Sequence, residues 1–111
     1  MSQIIKRGYQ AKGKCQGVMF RQTIIRFGVK GGASNDKKDK DCVWITMEGE
    51  ETIITELASK LINTKPLNSW GAQLTQLSEL SSDKVMEIEK HQVTTNNVDE
   101  FKWNKNVQFY L

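Results

Sequence analysis

The chain is short of the residues on which much enzyme chemistry depends. Its 111 residues include two cysteines and one histidine. A closed zinc site takes about four ligands at short Cys or His spacings. Cys15 and Cys42 lie far apart, His91 stands alone, and no metal is expected. The two cysteines fit small buried apolar residues in a reducing compartment, and nothing demands a disulfide between them. His91 sits in an acidic, polar stretch without a nucleophile motif beside it, which argues against a Ser-His-Asp or Cys-His mechanism. A single proline argues against a Pro-rich linker. No apolar run approaches the ~20 residues of a membrane span, and the start MSQIIKRG has no apolar leader core. The expectation is one domain over residues 1–111, monomeric, in the cytoplasm, without a membrane partner. Positive charge is in slight excess: 16 Lys and Arg against 13 Asp and Glu, net +3. That suits a small anionic ligand and is too weak to indicate nucleic acid.

What is present is an ordinary globular balance of 38% hydrophobic and 26% charged residues. Ile4 to Lys12 suggests a strand, followed by a glycine-punctuated loop from Gly13 to Gly17. Phe20, Ile24 and Phe27 recur at helical spacing, with Gly28 placed to end the helix. VKGGASN is a glycine-weakened strand, and the charge run DKKDKD at 36–41 is a solvated hairpin loop. Val43, Ile45 and Met47 alternate with polar neighbours as the clearest strand, closed by Gly49. Residues 51–62 carry a helical stripe of Ile53, Ile54, Leu57, Ala58, Leu61 and Ile62, with Asn63 and Pro66 at the exit. Trp70, Leu74, Leu77 and Leu80 keep a helical period and predict a helical insertion within 67–83. Residues 85–93 are expected as the fourth strand and Asn96-Asn97 as a turn. Phe101, Trp103, Val107, Phe109 and Leu111 suggest one or two terminal strands. This order predicts an α+β, ferredoxin-like split βαβ fold, an antiparallel sheet with its helices on one face. Trp44, Trp70 and Trp103 are expected to pack in or against the core.

The stretch with chemical content is Gly13-Lys14-Cys15-Gln16-Gly17-Val18-Met19-Phe20-Arg21, between a strand and a helix. Backbone N–H groups of such a loop can form an anion-binding nest. The helix starting near Phe20 adds its positive end, and Arg21 adds a planar fork suited to phosphate or carboxylate oxygens. Gly17 permits close backbone approach to the anion.

The run GKCQGVMFR resembles the acylphosphatase family signature G-x-V-Q-G-V-x-F-R, with Cys15 at the valine position. The family's second signature, G-L-x-G-W-V-R-N, is similar to Gly28-Val29-Lys30-Gly31-Gly32-Ala33-Ser34-Asn35, in which W-V-R has become Gly-Ala-Ser. The resemblance implies a ferredoxin-like β-α-β-β-α-β fold and hydrolysis of carboxyl-phosphate mixed anhydrides by direct water attack, with inorganic phosphate as product. It implies that Arg21 holds the phosphate with backbone N–H groups of Cys15, Gln16, Gly17, Val18, Met19 and Phe20. It also implies that Asn35 positions the water, and that neither metal, cofactor nor covalent phosphoenzyme is involved. Gln16 is expected to shape the loop through backbone hydrogen bonds, while the carboxylate of Asp36 beside Asn35 would oppose an anionic substrate. The alternative function is a catalytically degenerate phosphate-binding module on the same fold. RNA binding ranks below both: the strand VWITMEG offers Trp44 but no RNP-type pattern.

Overall fold

Val43, Ile45 and Met47 all turn toward one side of strand β3 (Cys42–Glu50) and are at most 1% exposed. The alternation seen in the sequence thus marks a central strand with a buried face. In the computed structural model, which describes residues 3–16, 20–27, 30–100, 108 and 110, β3 lies between two partners. Strand β1 (Ile4–Lys14) pairs with it antiparallel, matching Tyr9 to Ile45 and Ala11 to Val43. Strand β2 (Lys30–Asn35) flanks its other edge, matching Ala33 to Ile45 and Ser34 to Trp44. Strand β4 (Gln73–Glu79) joins β1, and the two-residue β5 (Val93–Thr94) joins β2, giving the antiparallel order β4-β1-β3-β2-β5.

Helix α1 (Phe20–Phe27) connects β1 to β2, and helix α2 (Glu51–Asn63) connects β3 to β4. Each crossover skips one strand, which is the split βαβ arrangement. Ile24 and Ile25 of α1 and Ile54, Leu57 and Leu61 of α2 join Tyr9, Ala11, Ala33, Val43, Ile45 and Met47 in one core. The α2 stripe is narrower than its sequence suggests, since Ile53 is exposed. Asn63 ends the helix, with Pro66 beyond it, as anticipated.

Two local readings of the sequence are corrected. The stretch around Leu74, Leu77 and Leu80 is strand β4, not a helical insertion. Its spacing of three comes from a β-bulge. Gly13 pairs with Leu74 but Lys12 pairs with Gln76, so Thr75 is an extra residue and both Leu74 and Leu77 turn toward the core side. Gly13 has φ +141°, and a Cβ there would stand 2.5 Å from the Gln73 carbonyl oxygen, so this position requires glycine.

Residues 85–92 are likewise not a strand, and of the expected fourth strand only Val93 lies in one, as the first residue of β5. Residues 85–92 belong to a strap that leaves β4 at one edge of the sheet and crosses the face opposite the helices to reach β5 at the other edge. It is built on two 3-10 turns, Ser82–Lys84 and Ile88–Lys90. Small residues on that face make room. A Cβ on Gly8 would lie 3.1 Å from Val85, and one on Gly32 would lie 2.7 Å from His91. Thr46 Oγ1 donates to the Met86 carbonyl at 2.7 Å, tying the strap to β3.

The turn at 95–97 agrees with the sequence reading. The expected helix end at Gly28 lies outside the described residues, and so do the terminal-strand residues Phe101, Trp103, Val107, Phe109 and Leu111. Within the tail, Tyr110 N–H donates to the Leu67 carbonyl at 2.9 Å, and the Gln108 carbonyl accepts from Ser69 N–H at 2.8 Å.

Candidate active site

The bulge at the end of β1 delivers the chain to Cys15 and Gln16, and α1 begins at Phe20 with Arg21 in its first turn. Gly17, Val18 and Met19, expected to complete the anion loop, lie outside the described residues. Phe20 is 1% exposed and anchors the helix start in the core. Cys15 is equally buried. Its Sγ lies 3.4 Å from the carbonyls of both Gly13 and Asp41, and burial pushes the thiol up to about 12. Such a thiol is no nucleophile at neutral pH. Both cysteines are free.

Gln16 does not point toward a ligand. Its amide nitrogen donates to the carbonyls of Cys42 at 2.9 Å, Asp39 at 3.0 Å and Asp36 at 3.3 Å, locking the loop onto the β2–β3 hairpin. Within that hairpin the Asp36 carboxylate is also occupied. Oδ1 accepts the backbone N–H groups of Lys38 and Asp39, and Oδ2 accepts the Trp44 indole N–H at 2.9 Å. The bonds from Asp39, Lys38 and Trp44 hold the carboxyl below its ordinary range. Asp36 is therefore the keystone of a tight turn, its carboxylate oxygens held by three N–H donors and its negative charge kept at the edge of the neighbouring pocket. Trp44 is half-buried as expected, whereas Trp70 is exposed.

Arg21 is half-buried, and burial lowers its pKa, although a guanidinium stays charged at any physiological pH. No carboxylate lies within ion-pair distance of it among the described residues. Its Nη1 donates instead to the side-chain oxygen of Gln92 at 2.8 Å. The backbone N–H of Asn35 donates to the same oxygen at 3.0 Å. Arg21 and Asn35 thus meet at one atom supplied by the strap. The Asn35 amide oxygen is buried and has no hydrogen-bond partner. A buried polar atom left unpaired costs about 1–3 kcal/mol. Beside Asn35 and Gln92 opens a pocket of about 500 Å³, with Trp44 and Met86 as its apolar lining and Lys37, Lys38 and Lys90 supplying positive charge.

Sequence reasoning missed Gln92, together with the hydrogen-bonded group behind it: Ser34, His91 and Thr46. The available signal was the loss of W-V-R at positions 32–34. A missing bulky side chain leaves space on the sheet face that some other residue must fill, and here the His91 ring lies against Gly32.

The fold is that of an α+β protein with two interleaved split βαβ units, and a half-buried cation with no carboxylate partner among the described residues stands at a strand-to-helix loop. Residues 8–103 match the sequence profile of the acylphosphatase family, described as acylphosphatase. The chain belongs to this family of acyl phosphate hydrolases. Comparison with curated protein sequences finds no significant match. Among the described residues no helix is long and apolar enough to cross a membrane.

Proposed function

We propose that this protein hydrolyses acyl phosphates to a carboxylate and inorganic phosphate by direct attack of water. The observation that carries this reading is the convergence of Arg21 and Asn35. A half-buried guanidinium, without a carboxylate partner among the described residues, and a buried amide oxygen without a hydrogen-bond partner belong to two residues that Gln92 ties together, its side-chain oxygen accepting from Arg21 Nη1 and from the Asn35 backbone N–H. The first is suited to phosphoryl oxygens and the second to a water O–H.

In the proposed reaction the backbone amides of residues 15–20 and the Arg21 fork receive the phosphoryl group. Asn35 accepts a hydrogen bond from the water and orients its lone pair at phosphorus. The new O–P bond forms as the bond from phosphorus to the acyl oxygen breaks. The electron pair leaves on the carboxylate, and the water protons remain on the phosphate product or pass to solvent. A carboxylate is a good leaving group and requires no general acid. The protein's contribution is then positioning and neutralisation of charge on the phosphoryl oxygens. Neither the buried Cys15 thiol nor His91 has a part in these steps. The pocket lined by Trp44 and Met86 gives the acyl group space beside the site. The partners are accordingly a small acyl phosphate and inorganic phosphate, with no cofactor and no nucleic acid, and the working form is a cytoplasmic monomer.

Hydrolysis of benzoyl phosphate by the purified protein tests the proposal. Turnover that falls on adding inorganic phosphate supports it. Phosphate binding without turnover would identify the chain as a degenerate binding module instead.

A further inference from the structure

The Gln92 side chain reaches Arg21 from the strap, and its placement is set by a chain of hydrogen bonds whose direction can be worked out atom by atom. The Met86 carbonyl can only accept, so the Thr46 hydroxyl donates to it, at 2.7 Å. Thr46 Oγ1 must then accept from His91, and the 2.7 Å contact at Nε2 places the ring proton there. Nδ1 is left with its lone pair and accepts the Ser34 hydroxyl at 2.8 Å. Ser34 Oγ in turn accepts the backbone N–H of Gln92 at 2.9 Å. Thr46, His91 and Ser34 are 1%, 5% and 7% exposed, so water does not compete for these bonds. Every donor in the run has one acceptor, and reversing any member would leave a buried group unpaired.

We infer that Gln92 is a positioning residue: the Ser34–His91–Thr46 run fixes its backbone on the sheet, and its side-chain oxygen holds the Arg21 guanidinium in register with Asn35. This rests on the hydrolytic reading of the site. It also accounts for the altered second signature. Gly32 admits the His91 ring and Ser34 supplies the hydroxyl that receives Gln92. Two of the three substituted positions therefore work with the strap.

The test uses Gln92→Met, which keeps length and loses the acceptor, and Gln92→Glu, which keeps an acceptor and adds charge. Three readouts are taken: benzoyl phosphate kinetics, inorganic phosphate affinity, and the NMR exchange rate of the Arg21 guanidinium protons. Gln92→Met should lower kcat/KM roughly 10- to 100-fold, in line with a misplaced catalytic group. It should also weaken phosphate binding and speed exchange at Arg21. In an Arg21→Ala background the same change should cost no more than about twofold, since the effect passes through Arg21. Gln92→Glu should keep Arg21 exchange slow while weakening phosphate binding by repulsion. Equal losses in both backgrounds would overturn the inference. So would tighter phosphate binding in Gln92→Met, which would mean that the Gln92 oxygen merely fills an anion position. If the wild-type protein shows no turnover, the Arg21 exchange rates still decide the role of Gln92, and only the hydrolytic reading fails.

Discussion

Arg21 and Gln92 are 71 positions apart in the chain, yet the guanidinium Nη1 donates to the Gln92 side-chain oxygen at 2.8 Å. The pairing is unusual in kind. A half-buried arginine is ordinarily matched by a carboxylate, and here its partner among the described residues is neutral. No carboxylate among the described residues cancels the positive charge that Gln92 orients. An anion entering the loop therefore meets a preorganised, uncompensated cation, the condition under which electrostatic stabilisation is strongest.

Arg21→Lys separates charge from geometry. Lysine keeps the positive charge and loses the planar fork that reaches two oxygens at once. Loss of one preorganised donor costs about 2–4 kcal/mol, which is roughly 30- to 1,000-fold in kcat/KM. Inhibition by inorganic phosphate should weaken in parallel, while thermal unfolding in phosphate-free buffer stays close to wild type. A folded variant with wild-type turnover and wild-type phosphate inhibition would remove Arg21 from the mechanism.

Asn35→Ala removes the unpartnered amide oxygen but keeps the backbone N–H that meets Gln92. Turnover should collapse while phosphate affinity changes little, because the side chain acts on water rather than on the anion. Stability should hold or rise slightly, since a buried unpaired oxygen is removed. Activity within about twofold of wild type would assign Asn35 to the hairpin turn alone.

Gly32→Ala puts a Cβ at 2.7–2.8 Å from the Cβ, Cγ and Cδ2 atoms of His91, closer than atoms can pack. The strap must shift, at a cost of about 1–3 kcal/mol in urea unfolding, and Gln92 should be carried away from Arg21 with a loss of turnover. Combining Gly32→Ala with His91→Gly should cost less than the two changes summed, because the second removes the Cβ, Cγ and Cδ2 atoms with which the first clashes. Strict additivity would place the effect in the β2 backbone instead.

His91 predicts how stability depends on pH. Burial pushes its pKa from 6.5 down to about 4. Between those values the unfolded chain takes up a proton that the folded chain refuses. Its contribution is therefore complete above about pH 6.5 and is lost progressively as the pH falls toward about 4. The integrated loss is about 3 kcal/mol, at no more than ~1.4 kcal/mol per pH unit. Urea midpoints measured across this range should fall more steeply for wild type than for His91→Gln. Parallel curves would show that carboxylates alone set the acid limit.

Chelation should leave turnover unchanged. Among the described residues no three His, Cys, Asp or Glu side chains are grouped to hold a metal ion, and the proposed reaction draws its charge stabilisation from Arg21 and backbone amides. Loss of activity on dialysis against a chelator, with recovery on adding Mg²⁺ or Zn²⁺, would require a different site.

How much of this protein was legible in its sequence follows the range of the interactions. The β3 alternation, the α2 stripe and the run from Gly13 to Arg21 are patterns within a dozen or so residues. They report which face is buried and where a glycine is needed, so they survive without knowledge of the fold. The sequence by itself also carried the family, because GKCQGVMFR is a contiguous motif with a specific spacing. Strand β4 was hidden because its core-facing leucines are three apart, a helical interval that only the bulge opposite Gly13 converts into strand geometry. The strap was misread for the same kind of reason: residues 85–93 are apolar where they meet Gly8 and polar where they meet Ser34 and Thr46, a pattern imposed by the sheet beneath them. The juxtaposition of Gln92 with Arg21 and Asn35 was decided by tertiary structure alone. It depends on sheet order, which carries the chain from β4 at one edge to β5 at the other and so past the site, and no local periodicity encodes which strand lies next to which.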